Sequence, residues 1–286
     1  VPVVTELRRF PVKSCRGEQL DEAAVEAWGL RGDRRWMLVD DTGEAVTIRE
    51  RRGMVLIHPE LRADDGLVVR DLSGSGLEPL SVDVPSAAEH VPVSLFGNTP
   101  FLAALAADDA HEWFSKAVGE PVRLVHADDP SRRNANPERT QTVVPMAFAD
   151  GYPLHLAVEE SLVELNAQIA AGPMADQAPL PMVRFRPNIV VAGAEPWADD
   201  GWSRLRIGEG VYRAVKGCAR CAIPTTDQET AERFKEPTAT MARTRRWDGQ
   251  VWFGTNLVCD TPGVTIRVGD EVEVLETRDG SNGPPR

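Results

Sequence analysis

The chain has 286 residues, long enough for about two domains and a sizeable core. Hydrophobic residues make up 42% and charged residues 27%, an ordinary globular composition, and the formal charge is −12. That balance excludes general binding to nucleic acid or to an anionic membrane, both of which need excess cations.

The first third reads as β structure. Residues 3–7 form a strand that Pro11 stops, and 35–39 and 45–48 form two more around a turn at 41–43. Short strands follow at 54–57, 67–69, 80–82 and 93–96, a spacing that suggests a barrel or sandwich. The period then changes. Ala110, Trp113, Phe114, Ala117 and Val118 share one helical face over 108–118, with Asp108 or Asp109 to cap it and Gly119 to end it. A strand follows at 122–125. Residues 127–145 are polar and lack periodicity, which marks a functional loop or linker. The expected division is therefore 1–124 and 125–286. In the second part, Val158, Leu162, Leu165 and Ile169 mark a helix closed by Gly172. Strands are expected at 189–191, 205–207, 211–215, 251–253, 264–266 and 271–275, and a disordered tail after about 276. The fold class expected is α+β, mostly β.

No apolar run approaches the roughly 18 residues of a membrane helix. Val1-Pro2-Val3-Val4 carries no signal-peptide pattern, so a cytoplasmic protein is expected. No G-x-G-x-x-G or Walker motif is present, which argues against a Rossmann or P-loop nucleotide site. The cations comprise 28 arginines and 4 lysines. A GC-rich genome accounts for most of that bias, yet planar guanidinium forks also suit oxyanions.

The most informative segment is Lys216-Gly217-Cys218-Ala219-Arg220-Cys221. Structural zinc would need two more ligands, and only Cys15 and Cys259 remain, far apart. A thioredoxin-like motif would open a helix, whereas Pro224-Thr225-Thr226 does not read as a helix start. A pair of buried structural cysteines stays open. So does a single reactive thiolate beside Lys216 and Arg220, since cations lower a thiol pKa and a soft thiolate suits a soft or high-valent metal. Lys13-Ser14 after the first strand can bind an oxyanion. Arg184-Phe185-Arg186-Pro187-Asn188 stands at the entrance of an apolar strand, and Gly151 in Asp150-Gly151-Tyr152-Pro153 permits close backbone approach to a ligand. Read alone, each of these is equally an exposed loop lysine, a solvated strand end or an ordinary turn.

Together the motifs are specific. Phe10-Pro-Val-Lys-Ser-Cys15, Asp33-Arg34-Arg35-Trp36, Phe185-Arg-Pro-Asn188, Cys218-Ala-Arg-Cys221 and Phe253-Gly-Thr-Asn256 occur in the order seen in MOSC proteins. Over residues 3–276 the chain resembles the two-domain type, which has an N-terminal MOSC β-barrel domain and includes the mitochondrial amidoxime reducing component and its bacterial relatives. The resemblance implies an N-terminal β-barrel-like domain and a MOSC domain built on a barrel with flanking helices. It also implies a molybdenum cofactor (molybdopterin) held between them. Cys221 corresponds to the family's molybdenum ligand. Ala219 and Arg220 correspond to the two preceding contact positions, with Ala219 where some relatives have serine. Lys13, Ser14, Arg34, Arg186 and Asn188 correspond to cofactor contacts. Gly151 and Tyr152 stand where some relatives have Thr-Ser, so that backbone contacts are what they can keep. The activity implied is reduction of an N–O bond in a small N-hydroxylated substrate. Some bacterial relatives carry a fused ferredoxin-like domain. Because no cysteine cluster follows Cys259, a separate donor of ferredoxin or flavoprotein type is expected. Alternatives are a persulfide sulfur carrier using Cys221 or Cys218, and a non-catalytic cofactor-binding module. His126 and His155 are expected to pack or hydrogen-bond, Cys15 to line the pocket, and loops such as 127–145 and 236–250 to hold specificity; for their arginines (Arg132, Arg133, Arg139, Arg243, Arg245 and Arg246) an anionic substrate, a donor protein and water all stay open as partners.

Overall fold

Runs of β-branched and aliphatic residues with alternating burial make the strand the dominant element, and the fold is α+β, mostly β. A computed structural model describes residues 1–86 and 89–286. A nine-stranded sheet runs in the order Val272–Thr277, Trp202–Ile207, Gly210–Arg220, Gln250–Cys259, Leu154–Val158, Ile189–Ala192, Val3–Arg9, Glu18–Leu20, with Arg246–Trp247 also paired to Gln250–Cys259. A four-stranded sheet joins Trp36–Val39, Arg123–His126, Phe101–Leu105 and His90–Val93. Two three-stranded sheets complete the pairing: Thr265–Arg267 with Glu22–Glu26 and Gly29–Leu30, and Ile57–Leu61 with Leu67–Asp71 and Leu80–Val82. These strand orders are open, so the expected barrel is not a closed sheet, although the single bridge Val3↔Glu271 ties the first strand of the chain back to the start of the last.

The first strand does not stay with its sequence neighbours. Val3–Arg9 pairs antiparallel with Ile189–Ala192, and Glu22–Glu26 pairs with Thr265–Arg267. The N-terminal segment is thus stitched into the sheet of the second half. This delivers the loop after Arg9 to the edge where the second half's motifs end. The large sheet is apolar on both faces. One buries Leu7, Leu156, Leu205, Tyr212 and Leu257. The other takes Leu162, Leu165 and Ile169 of the helix Glu159–Ala170 against Phe185, Val190 and Phe253. A separate core under the first half gathers Trp36, Leu38, Met54, Leu67 and Leu124 against Trp113 and Phe114 of the helix Asp108–Val118. That helix has the bounds its periodicity predicts. Asp108 and Asp109 face its positive end, and Gly119, at φ 85°, takes the left-handed position that closes it.

Several expectations fail for physical reasons. Residues 54–57 form a 3₁₀ turn, Arg52–Leu56, leading into a strand from Ile57, because a short apolar run does not distinguish a buried turn from a buried strand. Residues 45–48 make only the single bridge Val39↔Ala45. There the Thr47 hydroxyl accepts from the Arg49 N–H (3.3 Å) and donates to Glu50 (2.5 Å), while its carbonyl accepts from Glu50 and Arg51. The chain turns instead of extending, and Arg49 is aimed by that turn. The strand expected at 93–96 lies at His90–Val93. The tail after 276 is ordered: Gly217 N–H donates to the Pro285 carbonyl (2.8 Å), Arg278 Nε donates to the Trp202 carbonyl (2.8 Å), and Pro284 is buried. Among the described residues, no helix is long and apolar enough to cross a membrane.

Candidate functional site

The strand Gly210–Arg220 slips register against Gln250–Cys259 twice, between Ala214 and Lys216 and again between Gly217 and Ala219. Such bulges re-aim side chains. Here they turn consecutive residues from Lys216 to Cys221 toward one cavity of about 380 Å³. Lys13, Ser14, Arg34, Gly151, Tyr152, Arg186, Asn188, Ala219, Arg220 and Cys221, expected from sequence, all line it. Ser14, Arg34 and Arg186 have φ of 69°, 48° and 53°. Non-glycine residues rarely hold that left-handed conformation unless the surroundings over-determine it, and such strain clusters at functional sites.

The anchoring runs from strand ends inward. Phe10 N–H donates to Asp33 Oδ1 (2.8 Å), and Arg34 N–H donates to the Phe10 carbonyl (2.8 Å). Arg34 then donates to Asp33 Oδ2 (2.6 Å), to Asn188 Oδ1 (3.1 Å) and to the Arg186 carbonyl (3.3 Å). The guanidiniums of Arg34 and Arg186 lie 4.4 and 4.1 Å from the Phe10 ring centroid. Burial first, and the like charge of Arg34 second, bring the Arg186 guanidinium down to about 9. Its Nη1 is buried with no protein partner. An anion between the two arginines would relieve both the repulsion and the missing bond.

Lys13 is 4% exposed, one of four lysines in the chain. Its ammonium donates to the Phe148 carbonyl (2.7 Å) and to the Asp150 carboxylate. Burial lowers it to about 8 in spite of that partner, and the same ion pair, with the charges of Arg49 and Arg34, holds Asp150 far below the usual carboxylate range. Asn188 lines the cavity and also braces it. It is 1% exposed, and its Oδ1 accepts from Arg34 and from His155 N–H (3.2 Å) while its Nδ2 donates to the Arg8 carbonyl (3.1 Å). Its amide holds Arg34 in place and keeps one Nδ2 hydrogen unused.

The cation at Cys221 is not one that sequence proximity suggested. Arg220 Nη1 donates to Cys218 Sγ (2.8 Å) and Nη2 to the Phe185 carbonyl (2.8 Å). Arg49 lines the same cavity as Cys221. Burial would lower the Arg49 guanidinium, but pairing with a Cys221 thiolate and with the Asp150 carboxylate raises it above its ordinary value. Nothing in the local sequence of Arg49 marks it. Phe96, His155 and Lys216 also line the cavity. Burial first, and then the charges of Arg220 and Arg34, hold the His155 imidazole well below the usual histidine range, and its Nε2 has no partner.

Other expectations move elsewhere. Cys15 is fully buried in the first core, where burial pushes its thiol up to about 12. His126 packs on Trp36, ring centroids 4.5 Å apart. The loop arginines do not line the cavity. Arg133 donates to the carbonyls of Ala147 (2.8 Å), Ala149 (2.6 Å) and Asp150 (2.8 Å) and so braces the segment that does. Arg245 is buried against Asp200. All four cysteines are free, and no group of three or more His, Cys, Asp or Glu among the described residues could hold a metal ion. The zinc reading of C-x-x-C thus lacks its further ligands.

The cavity suits an anionic ligand. Lys13, Arg34, Arg49, Arg186, Lys216 and Arg220 stand against one lining carboxylate, Asp150, and the buried Nη1 of Arg186 lacks a partner. Residues 1–121 match the MOSC N-terminal beta barrel domain and residues 144–273 the MOSC domain. The chain is 29% identical to the human mitochondrial amidoxime-reducing component 1 over 96% of its length and 83% of that protein, and 30% identical to the mouse protein over the same shares. It is 30% identical to the molybdenum cofactor sulfurase of Oryza sativa subsp. japonica over 86% of this chain. It spans about a third of such sulfurases, 31% of the rice protein and 35% of that of Solanum lycopersicum.

Proposed function

Given that the chain belongs to the MOSC family in its two-domain form, we propose that it is a molybdenum-cofactor-binding oxidoreductase that reduces the N–O bond of N-hydroxylated compounds. The observation that carries this reading is the cationic cavity ending at the half-buried Cys221. Lys13, Arg34 and Arg186 would hold the cofactor phosphate by charge-assisted bonds, Ser14, Gly151, Tyr152 and Ala219 would line its body, and the Cys221 thiolate would be the protein's ligand to molybdenum. When bound, the cofactor supplies two-electron oxygen-atom chemistry. Overall, the N–O bond breaks, an N–H bond and water form, and two protons and two electrons are consumed. A separate ferredoxin or flavoprotein would deliver the electrons. Asn188 aims Arg34, and Arg133 fixes the 147–150 segment, so both act by positioning. We also carry forward the division into residues 1–124 and 125–286, with the cavity between them.

The test is reduction of benzamidoxime with a chemical donor, wild type against Cys221→Ser, together with molybdenum and pterin content. Stoichiometric cofactor with activity lost in Cys221→Ser is the expected result. A persulfide on Cys221 or Cys218 without molybdenum would identify a sulfur carrier, and bound cofactor without turnover a non-catalytic module.

A further inference from the structure

One carboxylate interrupts the cationic lining, and it stands where it can meet a substrate. Asp150 accepts from Lys13 on Oδ1 and from Arg49 Nη2 on Oδ2 at 3.1 Å, and its side chain remains 53% exposed. A carboxylate offers about four lone-pair sites, so two are left. Arg49 lines the same cavity as Cys221 and is 28% exposed, with its guanidinium 4.1 Å from the Phe96 ring centroid. Its backbone is held at both ends: its N–H donates to Thr47 Oγ1, and its carbonyl accepts from Arg233 Nη2 (3.0 Å). The result is a donor and an acceptor paired side by side, in the same cavity as the thiol.

We propose that Arg49 and Asp150 orient the substrate, Arg49 donating to the oxygen of the N–O group and Asp150 accepting an N–H carried by the same carbon. The assignment rests on reading the chain as an N–O reductase. A substrate with both features on one carbon meets both residues, whereas one that lacks the N–H meets Arg49 alone. A site built to bond an N–H leaves its own acceptor underused when the ligand lacks one, and so discriminates against that ligand. The Asp150–Arg49 pair remains after binding, because each partner uses hydrogen-bonding capacity that the pair leaves free.

Benzamidoxime and benzaldoxime differ by one NH₂ and form the test pair. Each is titrated by calorimetry into the cofactor-loaded protein without reductant, and each is assayed with reductant, for wild type, Asp150→Asn and Arg49→Gln at matched molybdenum and pterin content. Wild type should bind benzamidoxime more tightly. Asp150→Asn should lower the benzamidoxime-to-benzaldoxime ratio of both affinity and kcat/KM by about tenfold, the loss of one charge-assisted bond. Arg49→Gln should weaken both compounds alike. Equal loss of both compounds in Asp150→Asn, or no loss in Arg49→Gln, would overturn the assignment. If wild type reduces neither compound, the reductase reading falls. The titrations then still decide the pair, because wild-type binding without preference for benzamidoxime, or no binding at all, refutes it.

Discussion

Replacing Asn188 by alanine removes a buried clamp and leaves its three partners to be counted. The amide accepts from Arg34 (3.1 Å) and His155 N–H (3.2 Å) and donates to the Arg8 carbonyl (3.1 Å). The bond to the guanidinium is worth about 1.5–3 kcal/mol and each neutral bond about 1 kcal/mol net, with more where a buried N–H is stranded. Arg34 keeps Asp33 and the Arg186 carbonyl, so part of the first term survives. The expected loss is therefore about 3–5 kcal/mol, a large fraction of the ~5–15 kcal/mol of a typical protein. Urea denaturation at neutral pH measures it, and the thermal midpoint should fall by roughly 10 °C. A second readout separates clamp from filler. With Arg34 less firmly aimed, cofactor retention on dialysis should drop below that of wild type. A stability loss under about 1 kcal/mol would mean that water replaces all three bonds. Unchanged retention alongside the full loss would mean that Asn188 supports the sheet alone.

Two further outcomes follow from the same packing. Asp199 is 2% exposed with Oδ2 unpartnered, and burial, then Asp200, push its carboxyl up to about 7, with Arg245 opposing. The folded state thus keeps a proton that the unfolded chain releases above about pH 4, so stability falls as pH rises from about 4 to about 7 and levels off beyond. Asp199→Asn should be about 1–3 kcal/mol more stable than wild type at pH 8 and less so at pH 5 by chemical denaturation, and a pH-independent difference would refute this account. Gly254 lies within a central strand at φ 77°, and a Cβ there would collide with His155 Nε2 and stand 2.7 Å from the Leu156 carbonyl oxygen. Gly254→Ala should cost about 2–4 kcal/mol by the same assay, through left-handed strain plus overpacking, and a cost near zero would show that the strand can shift freely.

Local signals were legible where local physics decides. The helix Asp108–Val118 follows its apolar face and its closing glycine. The ten expected cofactor contacts from Lys13 to Cys221 could be named through the family resemblance that the motif order carries, and they line one cavity. Signals that depend on partners were not legible. The run 45–48 has strand composition, yet Thr47 turns the chain, because its hydroxyl competes for the local backbone. The strand Leu154–Val158 is not read from sequence, and its pairing is supplied by Gln250–Cys259, far along the chain. The polar segment 277–286 reads as disordered, yet it is held by the backbone of Gly217.

Composition and motif order by themselves determined a mostly-β chain of net charge −12, a short set of cations set apart from its 28 arginines, and one cysteine worth isolating from four. Only the tertiary structure decided which arginine meets that cysteine. Arg220, next to Cys221 in the chain, turns to Cys218 and the Phe185 carbonyl, and Arg49 comes in from a turn in the first half. The reason is geometric. Arg220 and Cys221 both face one cavity, but the two terminal nitrogens of Arg220 are taken by Cys218 and the Phe185 carbonyl, and what else converges there is set by strand pairings such as Val3–Arg9 with Ile189–Ala192 that no local sequence encodes.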